Sequence, residues 1–411
     1  MPGFRKMAAA LATCLVLSLI GSAADAGGPL FVRDTGAAYV WSTAAPISYR
    51  TDNGPLSASI DEATARARVL GMFDVWQNVA TSSISYGRAG FINPTGAFVG
   101  GDVDTLDEFN DVSTDCNNGN QSPIIYDADA SIFIALGADE TSLIGFAGAC
   151  ALDATQIISG SAMMNGLFQD GLSAPVPDLT TAEFDAAIVH ELGHFSGLDH
   201  SQVNVNCLGF CGTDDLTGLP TMFPLLIDVS QGVLAPDDIA WISRLYPQTT
   251  GGTTFANTHG TITGIVFFSD GESHAQFVNV IARKVDTGAN EDRKTAISAL
   301  SGIKFANLLG NPINDPFGSS FGSLDPGDIG LFEIPVPAGS YTVEVEPIDP
   351  GFTGASSIGS FFDELGRAPP PMPGTAPAPI GPIAVAAGAT VSGNNVTLIG
   401  TDPRFDQFEG P

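Results

Sequence analysis

The spacing of hydrophobic residues predicts helices and strands in alternation over roughly the first 250 residues. Val69, Met72, Phe73 and Trp76 fall on one helical face, which predicts an amphipathic helix over 61–80. The polar residues between them point to a helix that packs one face against a core and turns the other to water.

Two further helices are predicted in this part of the chain. A helix over 182–195 follows Thr180 and Glu183, which have the T-x-x-E spacing of a capping box, and a shorter helix covers 237–245. Short apolar runs bounded by turn residues predict strands at 46–50, 82–86, 122–126, 130–136 and 156–164.

The pattern becomes purely β after a segment rich in Thr and Gly at 248–254, which has the composition of a flexible linker. A Pro-rich stretch at 368–382 is predicted to be an extended loop. We therefore predict an α+β domain over 27–247 and an all-β sandwich domain over 255–411. The strands expected in the second domain are 260–268, 276–283, 331–336, 340–345 and 391–398.

The first 26 residues have the three parts of a secretory signal peptide. Arg5 and Lys6 are followed by an apolar run over 7–20, and the small residues of 24–26 predict cleavage after Ala26. We therefore expect a secreted protein. No later stretch has the ~18 uninterrupted apolar residues of a spanning helix, so we expect no stable membrane insertion.

The charge balance narrows the range of partners. The chain carries 45 acidic and 15 basic residues, a formal net charge of −30. Such a surface disfavours nucleic acids and anionic membranes because both would be repelled. Most of these carboxylates are expected to serve solubility.

Four cysteines remain after removal of the signal peptide, which suggests two disulfides in an exported protein. Three pairings are open. The most economical joins Cys116 to Cys150 and Cys207 to Cys211. A metal site that uses Cys207 and Cys211 is the competing interpretation, and an oxidising compartment disfavours it.

One motif carries recognisable chemistry. His190-Glu-Leu-Gly-His194-Phe-Ser-Gly197-Leu-Asp-His200 contains three of the five histidines in the chain. His190 and His194 are four residues apart, so a helix places both imidazoles on one face. Gly197 allows a sharp turn after the helix, and His200 can return as a third ligand.

Three neutral imidazoles leave one position of a tetrahedral zinc ion open for water. Glu191 stands next to the first ligand, where a carboxylate can act as general base towards that water. A structural zinc site is the alternative, but such sites use four protein ligands and have no need of Glu191.

At these residues the sequence resembles the metzincin metalloendopeptidases, and Ser201 after the third histidine resembles their matrixin branch. The segment Pro220-Thr-Met222-Phe-Pro224 resembles the Met-turn of that family, and 234–247 resembles its closing helix. The resemblance covers about 46–247. It implies a twisted, mostly parallel sheet with long helices, zinc ligands His190, His194 and His200, Glu191 as the catalytic residue, and Met222 beneath the metal.

The chain departs from the familiar animal matrixins in three respects. No histidine precedes His190, so a second zinc site cannot be built from histidine. Fewer than 20 residues separate Gly27 from the first predicted strand and none is cysteine, so we expect no long propeptide with a cysteine switch. Phe223 follows Met222, so no tyrosine hydroxyl there can assist the oxyanion.

Calcium is the second metal to consider. Five carboxylates lie within ten residues, and Asp127 and Asp129 add an alternating pair. Dense oxygen ligands suit Ca²⁺, although acidic surface loops are also common in a strongly acidic protein. The candidate calcium ligands are Asp102, Asp104, Asp107, Glu108 and Asp111.

The C-terminal domain resembles the carboxypeptidase regulatory-like, or transthyretin-like, sandwiches found on secreted proteins. The resemblance rests on the G-x-x-x-G-I-V opening of 260–266, on 277–280 and on 337–345. Such a domain can hold substrate, contact an extracellular partner or stabilise the chain. His259 and His274 within it are expected to be ordinary solvated side chains.

These features predict a secreted zinc endopeptidase that cleaves proteins or peptides. We expect an extended substrate beside 143–146 and an S1′ pocket walled by 223–227 that prefers bulky apolar residues. The alternatives are a catalytically silent zinc-containing binding protein that acts through the sandwich, and a hydrolase with a narrow non-protein substrate. The intact Glu191 favours the peptidase.

Overall fold

The structure, a computed structural model, describes residues 27–201, 203–204, 207, 212–275, 278–305, 322–346 and 377–399. The predicted signal peptide, most of the Pro-rich stretch and part of the predicted strand at 276–283 lie outside these residues. Within the described part of the chain, no helix is long and apolar enough to cross a membrane.

The described residues fall into two compact units. The first contains 44–74 and 85–196, and the second contains 27–43, 75–84 and 197–399. In this division 197–247 belongs to the second unit together with the strands that follow, and the predicted domain boundary at 248–254 stays a prediction.

The helices and strands are numbered in chain order. The helices are α1 (Glu62–Gln77), α2 (Leu106–Asn117), α3 (Ser131–Leu136), α4 (Thr181–Phe195), α5 (Thr213–Thr217), α6 (Pro236–Leu245), α7 (Phe255–Thr258) and α8 (Glu291–Lys294). The strands are β1 (Val40–Trp41), β2 (Ile47–Thr51), β3 (Tyr86–Phe91), β4 (Pro123–Asp127), β5 (Gly145–Leu152), β6 (Gln156–Asn165), β7 (His259–Phe267), β8 (Asn279–Lys284), β9 (Ala296–Leu300), β10 (Leu331–Pro337), β11 (Gly339–Glu346), β12 (Ile380–Val385), β13 (Thr390–Val391) and β14 (Val396–Thr397).

The first unit is of mixed α+β class with a mostly parallel sheet, as the sequence predicted. Its strands follow one another in the order β3-β2-β4-β6-β5. The first four run parallel, and β5 pairs antiparallel with β6. All five residues of β4 are buried, as expected for a central parallel strand covered on both faces.

Helix α4 confirms the predicted helix and its start. The Glu183 backbone N–H donates to the Thr180 hydroxyl at 3.3 Å, and the Thr180 N–H donates to the Glu183 carboxylate at 2.7 Å. This capping box satisfies amides that have no partner within the helix. Phe184, Ile188, Val189 and the following turn are buried, so packing holds the helix along most of its length.

The second unit contains two four-stranded sheets. In one, β7 lies between antiparallel β10 and the short parallel strand β13, and β14 also pairs with β7. In the other, the order is β12-β11-β8-β9 with antiparallel pairs. Burial along β7 alternates, which fits a strand with one face on a core.

Two predicted strands are wrong in type or position. Residues 131–136 of the segment 130–136 are helical: Asp127 accepts the Phe133 N–H at 2.8 Å, and Gly137, with φ +80°, ends the helix after six residues. Strand β3 begins where the predicted strand at 82–86 ends. Short apolar runs do not distinguish a buried helix turn from a strand.

The disulfide prediction is confirmed for one pair. Cys116 of α2 is bonded to Cys150 of β5, with the two Cα atoms 5.6 Å apart. Cys207 is also disulfide-bonded, which excludes its use as a metal ligand, and its predicted partner Cys211 lies outside the described residues.

Candidate metal centre

Three histidines of the motif lie within reach of a single ion. Among the described residues, His190, His194 and His200 form the one group of three or more candidate metal-ligating side chains whose ligand atoms all lie within 4.8 Å of one another. Helix α4 places the Nε2 atoms of His190 and His194 3.1 Å apart. Two nitrogens bound to a tetrahedral zinc ion are separated by about 3.3 Å, so the pair fits such an ion.

The chain turns sharply between the second and third histidines. Helix α4 ends at Phe195, and Gly197 adopts φ +87°, a conformation that side-chain-bearing residues disfavour. This confirms the turn predicted at Gly197. The Gly197 carbonyl then accepts the Leu30 N–H at 2.8 Å, which anchors the segment leading to His200.

The backbone on both sides of His200 is held by hydrogen bonds. The His200 carbonyl accepts the Gly27 N–H at 2.7 Å, and the Asp199 N–H donates to the Gly28 carbonyl at 3.1 Å. Ser201, fully buried, donates its N–H to the Met222 carbonyl at 2.7 Å. The third candidate ligand therefore occupies a fixed loop.

Glu191 has the surroundings of a reactive carboxylate. It is only 8% exposed, and its Oε2 atom is buried without a hydrogen-bond partner among the described residues. Burial raises the pKa of Glu191 to about 8, because water no longer stabilises the charged form. A cation or a bound water beside it would supply the missing partner, so this carboxylate fits a metal centre.

Strand β5 passes directly against Glu191. A Cβ atom on Gly145 would lie 3.0 Å from the Glu191 Cγ atom, so this position favours glycine. Within the described residues, β5 pairs with β6 and with no other strand. Residues 143–146, expected from the sequence to lie beside a substrate, include the start of this edge strand and so approach Glu191.

Met222 lies in a tight turn that a buried carboxylate holds. Asp238, the third residue of α6, accepts the N–H groups of Met222 at 3.0 Å, Thr221 at 2.9 Å and Ala235 at 2.7 Å. Burial raises the pKa of Asp238 to about 6. The sequence analysis placed Met222 in a turn but missed Asp238, whose signal was a pair of adjacent acids at the start of an amphipathic helix.

Asp237, the acid next to Asp238, connects the loop that carries His200 to strand β9. Asp237 is buried, accepts the Ser298 N–H at 2.8 Å and hydrogen-bonds the side chain of Ser201. Burial, with a smaller contribution from Asp238, raises the pKa of Asp237 to about 8. The indole N–H of Trp241 donates to the Ser298 carbonyl at 2.8 Å.

The candidate calcium ligands belong to a helix start. Thr105 caps α2, and the Glu108 carboxylate accepts both the Asp104 N–H and the Thr105 hydroxyl. Asp111, farther along the helix, accepts the Ala97 N–H. The described residues contain no group of carboxylates that could hold a metal ion in the way that the three histidines could, so the geometry adds no support for calcium. Calcium at Asp102, Asp104, Asp107, Glu108 and Asp111 stays a prediction.

A buried acid that the sequence analysis missed organises this acidic region. Asp52 is fully buried and accepts the N–H groups of Gly54, Val103 and Tyr126 at 3.2 to 3.3 Å. Burial raises its pKa to about 7, and Asp102 nearby adds to the shift. Its role in holding three chain segments gives no sequence signal, because the partners are backbone amides far apart in the chain.

Comparison with known proteins adds nothing to this assignment, since no family model matches the chain and no curated protein is similar to it. What the centre can do must therefore follow from its own residues. Three imidazoles within reach of one ion and an unpartnered carboxylate beside them are suited to hydrolysis with a metal-bound water.

Proposed function

We propose that the protein is a secreted zinc-dependent endopeptidase of the metzincin group, similar to the matrixins, with a C-terminal β-sandwich domain. The observation that carries the proposal is the buried Glu191 carboxylate, whose Oε2 atom has no hydrogen-bond partner among the described residues, on the same helix as His190 and His194. A structural metal site has no use for such a group, whereas hydrolysis needs a base at this place.

The chemistry divides between the ligands and the base. His190, His194 and His200 would hold the zinc ion, which when bound lowers the pKa of a water molecule and polarises the scissile carbonyl. Glu191 accepts the proton of the attacking water and delivers it to the departing amine. A zinc ion held by the three histidines would oppose the effect of burial and lower the pKa of Glu191, which favours the ionised carboxylate that a base requires.

Substrate is proposed to bind as an added strand along β5. The edge of β5 that pairs with no described strand would offer backbone groups to an extended peptide, and the approach of Gly145 to Glu191 would bring that peptide to the base. Leu225 and Ile227 are exposed apolar residues in the segment after Met222. They support the expected S1′ preference for bulky apolar residues, which sequencing of the cleavage products would test.

The test compares cleavage of unfolded casein by the wild type, Glu191→Ala and the control Glu272→Ala. Glu272 is exposed and lies in a turn of the second unit, so its loss should be silent. We expect Glu191→Ala to lose at least ~10³-fold in rate, the effect of removing a general base, while zinc content stays at one per chain.

Retained activity in Glu191→Ala would refute the proposed mechanism. Inactivity of the wild type towards casein with one zinc bound would favour the alternative, a zinc-containing binding protein acting through its C-terminal sandwich. Loss of zinc from Glu191→Ala would show that the carboxylate is needed to hold the site rather than for catalysis.

A further inference from the structure

The second unit contains a cavity that plays no part in the metal centre. Its volume is about 470 Å³, within the range of sites for small molecules. The walls come from the N-terminal segment 29–40, from helix α6, from residues 303–304 and from strand β10. All of these elements belong to the second unit.

Much of the wall is apolar. Val32, Val40, Ile303 and Leu331 line the cavity together with Trp241. The indole N–H of Trp241 is already bonded to the Ser298 carbonyl, so this side chain adds mainly apolar surface. A cavity with such walls favours a ligand whose body is hydrocarbon or aromatic.

The charged residues of the wall are mostly basic, against the composition of the chain. Arg33, Arg244 and Lys304 line the cavity, and Glu333 is the one acidic residue among its described lining residues. Glu333 forms an ion pair with Lys304. In a chain with 15 basic and 45 acidic residues, the meeting of three cations at one cavity is unusual.

Neither arginine of the wall has an acidic partner among the residues that the structure describes. Arg244 is exposed and forms no ion pair with a described residue, and Arg33 donates a hydrogen bond from Nε to the Ala37 carbonyl at 3.4 Å. Carboxylates are plentiful in this protein, and other arginines do pair with them. These are Arg66, Arg68, Arg283 and Arg293.

We propose that this cavity binds a small carboxylate with an apolar body. The guanidinium groups of Arg33 and Arg244 provide planar pairs of donors that match a carboxylate, and the apolar wall takes up the rest of the molecule. Two sources of such a ligand share this chemistry. One is a medium-chain fatty acid and the other is a short peptide with an apolar C-terminal residue.

The inference is independent of the peptidase activity because no lining residue belongs to the metal centre. Binding is measured by calorimetry on the full mature chain with decanoate and with N-acetyl-phenylalanyl-leucine. Decanol and the C-terminal amide of the same dipeptide are the uncharged counterparts. Because carboxylates also bind zinc, each titration is repeated on the protein after treatment with a zinc chelator.

We expect at least one of the two carboxylates to bind and its uncharged counterpart to bind at least ~10-fold more weakly, since a charge-assisted hydrogen bond is lost. Arg33→Ala/Arg244→Ala should weaken binding by about 10- to 100-fold, whereas Arg66→Ala, which removes an arginine of α1, should leave it unchanged. Thermal unfolding of both variants checks that each is folded.

Decanoate alone as ligand would identify the fatty-acid type, and the dipeptide alone would identify a peptide C-terminus. The proposal is overturned if neither carboxylate binds at millimolar concentration, if the uncharged compounds bind equally well, or if the double variant binds like the wild type. It is also overturned if binding disappears with the zinc while both arginines are present.

Discussion

The candidate ligands of the metal centre are supported in two different ways. His190 and His194 lie on helix α4, whose local hydrogen bonds and capping box are set by residues close in the chain. His200 lies on a loop, and the residue after it is bonded to the Met222 carbonyl and to the Asp237 side chain. Spacing alone positions the first two, whereas contacts distant in sequence position the third.

The clearest example of support from distant residues is Ser298 of strand β9. Its backbone N–H binds the Asp237 carboxylate, its carbonyl accepts from Trp241, and its hydroxyl lies 3.4 Å from that of Ser201. Val203, Ile281 and Ala296 form a small core that joins the same loop to β8 and β9. The C-terminal sheets thus help to form the loop that carries His200.

The largest effect is expected from removal of the C-terminal sheets. A chain that ends at Thr254 lacks Ser298 and the apolar partners of Val203, so the loop with His200 should lose its structure. We expect zinc affinity to fall by more than ~100-fold, beyond the usual effect of losing a single supporting residue. Competition with a chromophoric chelator measures it.

A truncated chain that kept full zinc affinity would show that the loop is held without the sheets. Circular dichroism of this chain separates the two regions, because α4 should stay helical even where zinc is lost. Loss of all helical signal would mean that the truncation unfolds the protein as a whole. The support of α4 would then not be independent of the support of the loop with His200.

A smaller loss of zinc affinity is expected from removal of a single hydroxyl group. Ser298→Ala removes the contacts of that hydroxyl with Asp237 and Ser201 while the backbone bonds stay, and we expect about 10-fold weaker zinc binding. The matched control is Ser301→Ala, which removes an equally buried hydroxyl bonded to Ala275 and Val278. Equal zinc affinity in the two variants would contradict a specific link to His200.

The smallest change in zinc affinity is expected from removal of the N-terminal cap of α4. Thr180→Ala removes one half of the capping box, which should lower the free energy of unfolding by about 1 kcal/mol. Zinc affinity should change less than ~2-fold, because ten residues of α4 are buried and hold it in place. Denaturant titration and zinc competition measure the two quantities, and a large loss of affinity would show that local capping also governs the site.

The sequence was most informative where structure depends on near neighbours. The start of α4, the turn at Gly197 and the spacing of His190 and His194 all follow from residues within a few positions of one another. The Cys116–Cys150 pair was also predicted, because few pairings of four cysteines were open.

Features built from distant partners could not be predicted in the same way. Nothing near Asp237 or Asp238 indicates that their partners are Ser298 and the Met222 turn. Strand β9 was missed because it has five residues with a single β-branched one, although all five are buried. The dense carboxylates of 102–111 suggested a metal site, and two of them, Glu108 and Asp111, accept the backbone amides of Asp104 and Ala97.

The bond network around Ser298 also sets an order of assembly during synthesis. Ser298 follows Ser201 by 97 positions, so a ribosome releases the loop with His200 well before the strand that completes its support. Translation proceeds at about 5–20 residues per second, so for several seconds the nascent chain has the pair from α4 but lacks the contacts that Ser298 makes with the loop of His200. A nascent chain thus completes the support of its third candidate ligand only after strand β9 has emerged.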